Sequence, residues 1–90
     1  MKVVGGQFGV SEAEMRSGRR SARVHKARCI AVYLAGRLSG ATRAEVGIAF
    51  NRDPTIVAMY CRAIERQAAE SVECLQLLRE LEQSITLRQH

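Results

Sequence analysis

Residues 42–64 read TRAEVGIAFNRDPTIVAMYCRAI, and their punctuation decides the fold. Thr42 and Glu45 have the spacing of a capping box, in which the hydroxyl accepts from an early backbone N–H and the carboxylate reaches back to the cap. The helix they open is expected to end near Phe50. Asn51, Arg52 and Asp53 then make a tight polar turn. Asp53 is the N-cap of a second helix and Pro54 its first residue, where the missing N–H costs nothing. Two caps separated by one short helix and a three-residue turn predict a helix-turn-helix.

Working outward, a helix is expected from about His25 to Leu38, with Ala27, Ile30, Ala31, Leu34 and Leu38 at three- and four-residue steps. Ser39-Gly40 stops it, Gly40 supplying the left-handed residue common after a helix end. The capped helix 43–50 buries Val46, Ala49 and Phe50. Gly47 inside it costs roughly 1 kcal/mol against alanine, so a close helix–helix approach is expected there. From Pro54 to about Glu70, Val57, Tyr60, Cys61, Ile64 and Ala68 fall on one stripe and Thr55, Met59, Arg62 and Arg66 on the opposite face. A last helix, about Val72–Leu87, is expected to bury Leu75, Leu78, Leu81 and Ile85 or their neighbours, with Glu73, Glu80 and Glu82 outward. Met1 to about Arg20 lacks a sustained period and contains Gly5, Gly6, Gly9 and Gly18. It reads as a flexible basic arm (residues 1–20) with one helical turn at Ser11–Met15, capped by Ser11, closed by Glu14 and followed by Arg19 and Arg20. The expected fold class is all-α: a small helix-turn-helix bundle of four to five helices over residues 21–90, with that flexible N-terminal arm.

Ninety residues make one small domain. Its aromatics are Phe8, Phe50, Tyr33 and Tyr60, so the core must be aliphatic. No apolar run approaches the roughly 18 residues that span a bilayer. Glycines stand where a signal peptide would carry its apolar stretch. A cytoplasmic, nucleoid-associated protein without a membrane partner is expected. Cys29, Cys61 and Cys74 are widely spaced and form no C-x-x-C pair, which suits buried inert thiols rather than a disulfide framework or a zinc site. His25 and His90 lack the spacing of metal ligands or of a base beside a nucleophile. No constellation supports catalysis, a metal or a cofactor, so an enzyme is not expected.

Charge is uneven. Between Arg16 and Arg62 ten Lys/Arg face two acids, a local charge of +8 within a chain of +5. Such a field suits either a polyanion partner or a merely solvated basic surface. In helix-turn-helix proteins the N-terminal residues of the second helix meet base edges in the major groove. Here these are Asp53, Pro54, Thr55 and Ile56, beside Arg52. Asp53 suits either a cytosine amino group or the helix cap, and Thr55 and Ile56 offer methyls to thymine. Arg62 and Arg66 suit phosphates or a solvated face. Thr42, Arg43 and Met59 join the candidate DNA-binding set.

Residues 21–66 resemble the C-terminal DNA-binding domain of the DnaA family of bacterial chromosomal replication initiators. The stretch Ala27–Ala35 is similar to the arginine-led helix that begins that domain. Glu45-Val46-Gly47-Ile48-Ala49-Phe50 resembles its Glu-Ile-Gly-x-Ala-Phe segment. Arg52-Asp53-Pro54-Thr55-Ile56-Val57, followed by Cys61-Arg62-x-Ile64-Glu65, resembles the signature Arg-Asp-His-Thr-Thr-Val…Cys-Arg-x-Ile-Glu. The resemblance implies that Arg28 enters the minor groove at A·T pairs and that Asp53 and Thr55 read the major groove of a DnaA box. Two positions depart: Pro54 stands where the family has His, and Ile56 where a second Thr is usual. The turn is one residue shorter, Asn51 replacing a pair of glycines. No Gly-x-x-x-x-Gly-Lys-Ser/Thr phosphate loop occurs in the chain.

The resemblance implies a stand-alone, non-enzymatic DNA-binding regulator of chromosome replication initiation, with double-stranded DNA carrying DnaA-box-like sites as its partner. Two alternatives stay open. One is a protein-interaction module that mimics the DnaA domain and binds a regulator of the initiator, a protein partner in replication control. The other is a helix-turn-helix transcription factor. Pro54 and Ile56 favour the protein module; the +8 segment and Arg28 favour DNA.

Overall fold

A computed structural model describes residues 2–18 and 21–88 of the chain. Among them are six helices and no strand: α1 Lys2–Phe8, α2 Glu12–Arg16, α3 Ala22–Ser39, α4 Arg43–Phe50, α5 Pro54–Glu70 and α6 Val72–Arg88. The all-α expectation holds, with more helices than the four to five expected. Arg19, Arg20 and His90, singled out in the sequence, lie outside the described residues.

α3 is the centre of the bundle, and every other helix packs against it. It starts three residues earlier than periodicity suggests, because the Ser21 hydroxyl accepts from Val24 N–H at 3.1 Å and caps it. Gly40 ends it in the left-handed region at φ 70°. Val24, Ala27, Cys29, Ile30, Ala31, Val32 and Leu34 are all buried, so α3 is covered on nearly every side, as a helix apolar around much of its circumference must be. α5 and α6 meet at a one-residue break, Ser71, whose hydroxyl accepts from Cys74 N–H at 3.2 Å. α6 buries Leu78, Leu81 and Ile85, while Leu75 is only half-buried.

The expected arm is where the fold departs from the sequence reading. Its second half does hold the expected turn: Ser11 and Glu14 close a capping box at 3.2 and 3.1 Å. Yet Val4, Val10 and Met15 are buried, at 0%, 5% and 1% exposure. Val10 N–H returns to the Gly5 carbonyl at 2.9 Å, and Lys26 Nζ stands 5.9 Å above the Phe8 ring. The radius of gyration is 12.1 Å, about the value a fully compact chain of this length has. Residues expected to form a free arm therefore supply two helices and part of the core. Each is too short to show a period, and tertiary packing holds it: α1 lies against α3 and α6, and α2 against α3 and α4.

The cysteines are free thiols. Cys29 is buried and lies 3.5 Å from His25 Nε2, and burial pushes its thiol up to about 11. Burial also raises the half-buried Cys61. A thiolate is the reactive form, so we expect iodoacetamide at pH 8 to leave Cys29 unmodified in the native chain and to alkylate it in the unfolded one. Mass spectrometry of the digests checks this, and equal labelling in both states would show that the Cys29 site opens readily.

Candidate nucleic-acid interface

The helix-turn-helix forms from the residues whose spacing predicts it. Thr42 Oγ1 accepts from Glu45 N–H at 3.2 Å, and the Glu45 carboxylate accepts from Thr42 N–H at 3.1 Å. Those contacts hold the Glu45 carboxyl below the usual carboxylate range. Asn51 ends α4 in the left-handed region, at φ 56° and ψ 48°. Asparagine tolerates that conformation better than other side-chain-bearing residues, so one Asn51 turns the chain without a glycine. Arg52 N–H then donates to the Gly47 carbonyl at 2.7 Å. Asp53 caps α5 through Thr55 N–H at 2.7 Å, with Pro54 at the first position.

Gly47 is buried for a reason other than the expected helix–helix approach. A Cβ there would collide with the carbonyl oxygen of Arg52, inside the turn. The glycine lets the turn fold back onto its own helix. Ala49 is exposed rather than buried, and Ile48 is 77% exposed. Val46, Gly47 and Phe50 define the inward face of α4, which turns both intervening residues outward. A helical wheel drawn from Val46 and Phe50 would have found Ile48; the sequence reading missed it.

The candidate contact residues divide into two groups. Thr42, Arg43, Asp53, Pro54, Thr55, Met59, Arg62 and Arg66 are exposed and Ile56 is half-buried. Thr55, Met59, Arg62 and Arg66 run along one face of α5, opposite the buried Val57 and Ile64. Arg43 lines a groove beside this helix together with Arg37 and Glu65. No acid of the described residues pairs with Arg62 or Arg66 within salt-bridge distance. The Asp53 carboxylate is engaged as a cap.

Arg28 and Arg52 are the second group. Arg28, expected in a minor groove, is 3% exposed. Its Nε donates to the Met15 carbonyl at 2.7 Å, and its Nη2 to those of Glu14 and Ser17 at 3.2 and 3.0 Å. Arg52 is half-buried and donates to the carbonyls of Asn51, Phe50 and Arg16 at 2.9, 3.3 and 3.4 Å, and to that of Ser17. Arg28 thus lies in the interior of the fold, and the half-buried Arg52 is engaged by backbone carbonyls at its surface. Burying a guanidinium is tolerated only where its donors are satisfied. The end of α2 with Ser17 supplies the acceptors for Arg28, and the carbonyls of Arg16 and Ser17 together with the end of α4 supply those for Arg52.

Residues 1–64 match the family described as bacterial dnaA protein helix-turn-helix. This chain belongs to that family. It is similar to the chromosomal replication initiator protein DnaA of Herminiimonas arsenicoxydans, at 36% identity over 93% of the chain. Those of Rhodopseudomonas palustris and Xanthobacter autotrophicus are 38% and 39% identical over 91% and 87% of it. The chain spans 17–18% of the length of these DnaA relatives. The family match begins at residue 1, so the short helices α1 and α2 are part of the DnaA-type unit rather than an addition to it. No helix of the described residues is long and apolar enough to cross a membrane.

Proposed function

We propose that this chain is a non-enzymatic DNA-binding unit acting in the control of chromosome replication initiation, in the cytoplasm and at the nucleoid. The observation that carries the reading is the exposed stripe Thr55–Met59–Arg62–Arg66 on the second helix of a DnaA-type helix-turn-helix, with Arg43 beside it. A helix of this kind fits the B-DNA major groove, its first residues near base edges and its later arginines near phosphates. Pro54, Thr55 and Ile56 then present methyl and methylene surface, which suits thymine methyl groups. Arg62, Arg66 and Arg43 provide positive charge for the backbone. As a regulator, such a unit competes for DnaA-box-like sites.

A second reading has specific support. The Asp53 carboxylate is occupied as a cap, Pro54 offers no donor, and Arg28 is withdrawn into the fold. These features suit a module that binds a protein regulator of the initiator through the same surface.

Binding to a DnaA-box duplex and a scrambled duplex across a salt series separates the two. If about four phosphates are neutralised, log K falls with log[salt] with a slope of about −3.6. Tighter binding to the box supports sequence reading. An equal affinity for both duplexes reduces the unit to backbone binding, and no binding at low salt selects the protein-interaction reading.

A further inference from the structure

The end of α2 is held by residues of other elements. The carbonyls of a helix's last turn have no partner within the helix. Here the Glu14 carbonyl accepts locally from the N–H and hydroxyl of the cap residue Ser17, and also from Arg28. Those of Met15, Arg16 and Ser17 accept from Arg28, from the helix-turn-helix turn, or from both. Arg28 reaches Glu14, Met15 and Ser17 from α3. Arg52 reaches Arg16 and Ser17 from the turn, and Asn51 Nδ2 lies 3.5 Å from the Arg16 carbonyl. The Ser17 carbonyl accepts from both arginines. The same Arg52 guanidinium also holds the carbonyls of Phe50 and Asn51 at the end of α4. One side chain thus ties the C-terminus of α4 to the C-terminus of α2, at the point where the chain enters α5.

From this geometry we infer that Arg28 and Arg52 are positioning residues for DNA recognition: they fix the turn Asn51–Asp53, and with it the start of α5, against α2 without touching DNA. The inference rests on the DNA-binding reading above. A guanidinium presents its donors in a rigid planar fork, so several carbonyls held at once fix an orientation that a single contact leaves free. Positive charge at two helix C-termini also offsets their negative ends. α5 begins directly after the turn, with Asp53 and Pro54 leaving no slack. Any tilt of the turn therefore moves Thr55 and Ile56 relative to a base edge. In this arrangement α2 is the stop against which the reading helix is set.

The test compares Arg28→Lys, Arg52→Lys and Arg52→Gln with the unaltered chain by amide exchange without DNA and by duplex binding across a salt series. Lysine keeps the charge and loses the fork. We expect the amides of Asn51, Arg52 and Thr55 to exchange about tenfold faster in each variant, as the loss of a charged hydrogen bond allows, while Leu78 and Leu81 in α6 stay as they were. Duplex affinity should fall about tenfold in all three variants with an unchanged salt slope. Unchanged exchange at the turn overturns the inference. So does wild-type binding by Arg52→Lys together with a slope reduced by about one in Arg52→Gln, the signature of a direct phosphate contact. Should Arg28→Lys fail to fold, the two variants of half-buried Arg52 carry the comparison. An unaltered chain that leaves duplex DNA unbound overturns the functional reading and the recognition half of this inference. The exchange comparison still decides the positioning half.

Discussion

Arg28→Met is expected to lower stability by about 3 kcal/mol, because hydrogen bonds from a charged donor are worth roughly 1.5–3 kcal/mol and the buried contact to the Met15 carbonyl is lost outright, while the carbonyls of Glu14 and Ser17 keep Ser17 and Arg52 as donors. For a domain of this size that is a fall in midpoint of about 15 °C. Methionine fills much of the arginine stem's volume, so the change removes the guanidinium rather than opening a large cavity. The carbonyls of Glu14, Met15 and Ser17 lose their Arg28 donor together, and α2, with five residues, has little independent stability to retain. Thermal unfolding followed by circular dichroism measures the loss. Duplex binding discriminates further. A structural Arg28 weakens A·T-rich and G·C-rich duplexes alike, whereas a minor-groove contact weakens A·T-rich duplexes selectively. Unchanged stability together with a selective loss would return Arg28 to the DNA surface.

Gly47→Ala should be destabilising by about 2 kcal/mol, against its helix propensity. On propensity alone alanine gains about 1 kcal/mol over glycine inside a helix. At Gly47 the added methyl meets the Arg52 carbonyl oxygen, with the Arg52 and Asp53 carbonyl carbons at 3.4 and 3.7 Å. These are backbone atoms of a turn pinned at both ends, by Arg52 N–H on Gly47 and by the Asp53 cap. They cannot swing aside as a side-chain tip does, and overpacking of this kind costs roughly 1–3 kcal/mol. Gly36→Ala is the control. A Cβ at Gly36 meets Val46 Cγ2 at 3.8 Å, an ordinary contact, so the same substitution in α3 should hold or raise stability by up to about 1 kcal/mol. Opposite signs at the two glycines are the expected result in parallel melts. Stabilisation by both would show that the turn relaxes freely.

Both substitutions bear on function through the turn. Its displacement moves the first residues of α5, and with them the surface offered to a base edge. Duplex affinity in Gly47→Ala should therefore fall while the number of phosphate contacts, read from the salt slope, stays the same.

What the sequence determined by itself is local. The two capping boxes, the Asp53-Pro54 start of α5 and the left-handed Gly40 are each settled within three or four residues. Their partners are therefore visible in a linear string. The exposed stripe of α5 is equally legible, since a 100° step separates Thr55, Met59, Arg62 and Arg66 from Val57 and Ile64 whatever lies around them. The resemblance to DnaA rests on the same stretch, and the family match bears it out. What only the tertiary structure decided depends on residues far apart in the chain. Arg28 meets carbonyls 11 to 14 positions away and Arg52 meets them 35 and 36 positions away. An arginine reads the same in sequence whether phosphate or a helix end awaits it. The docking of α1 and α2 is of the same kind: helices of seven and five residues carry too little periodicity to announce themselves, and burial of Val4, Val10 and Met15 against α3 is what gives them form.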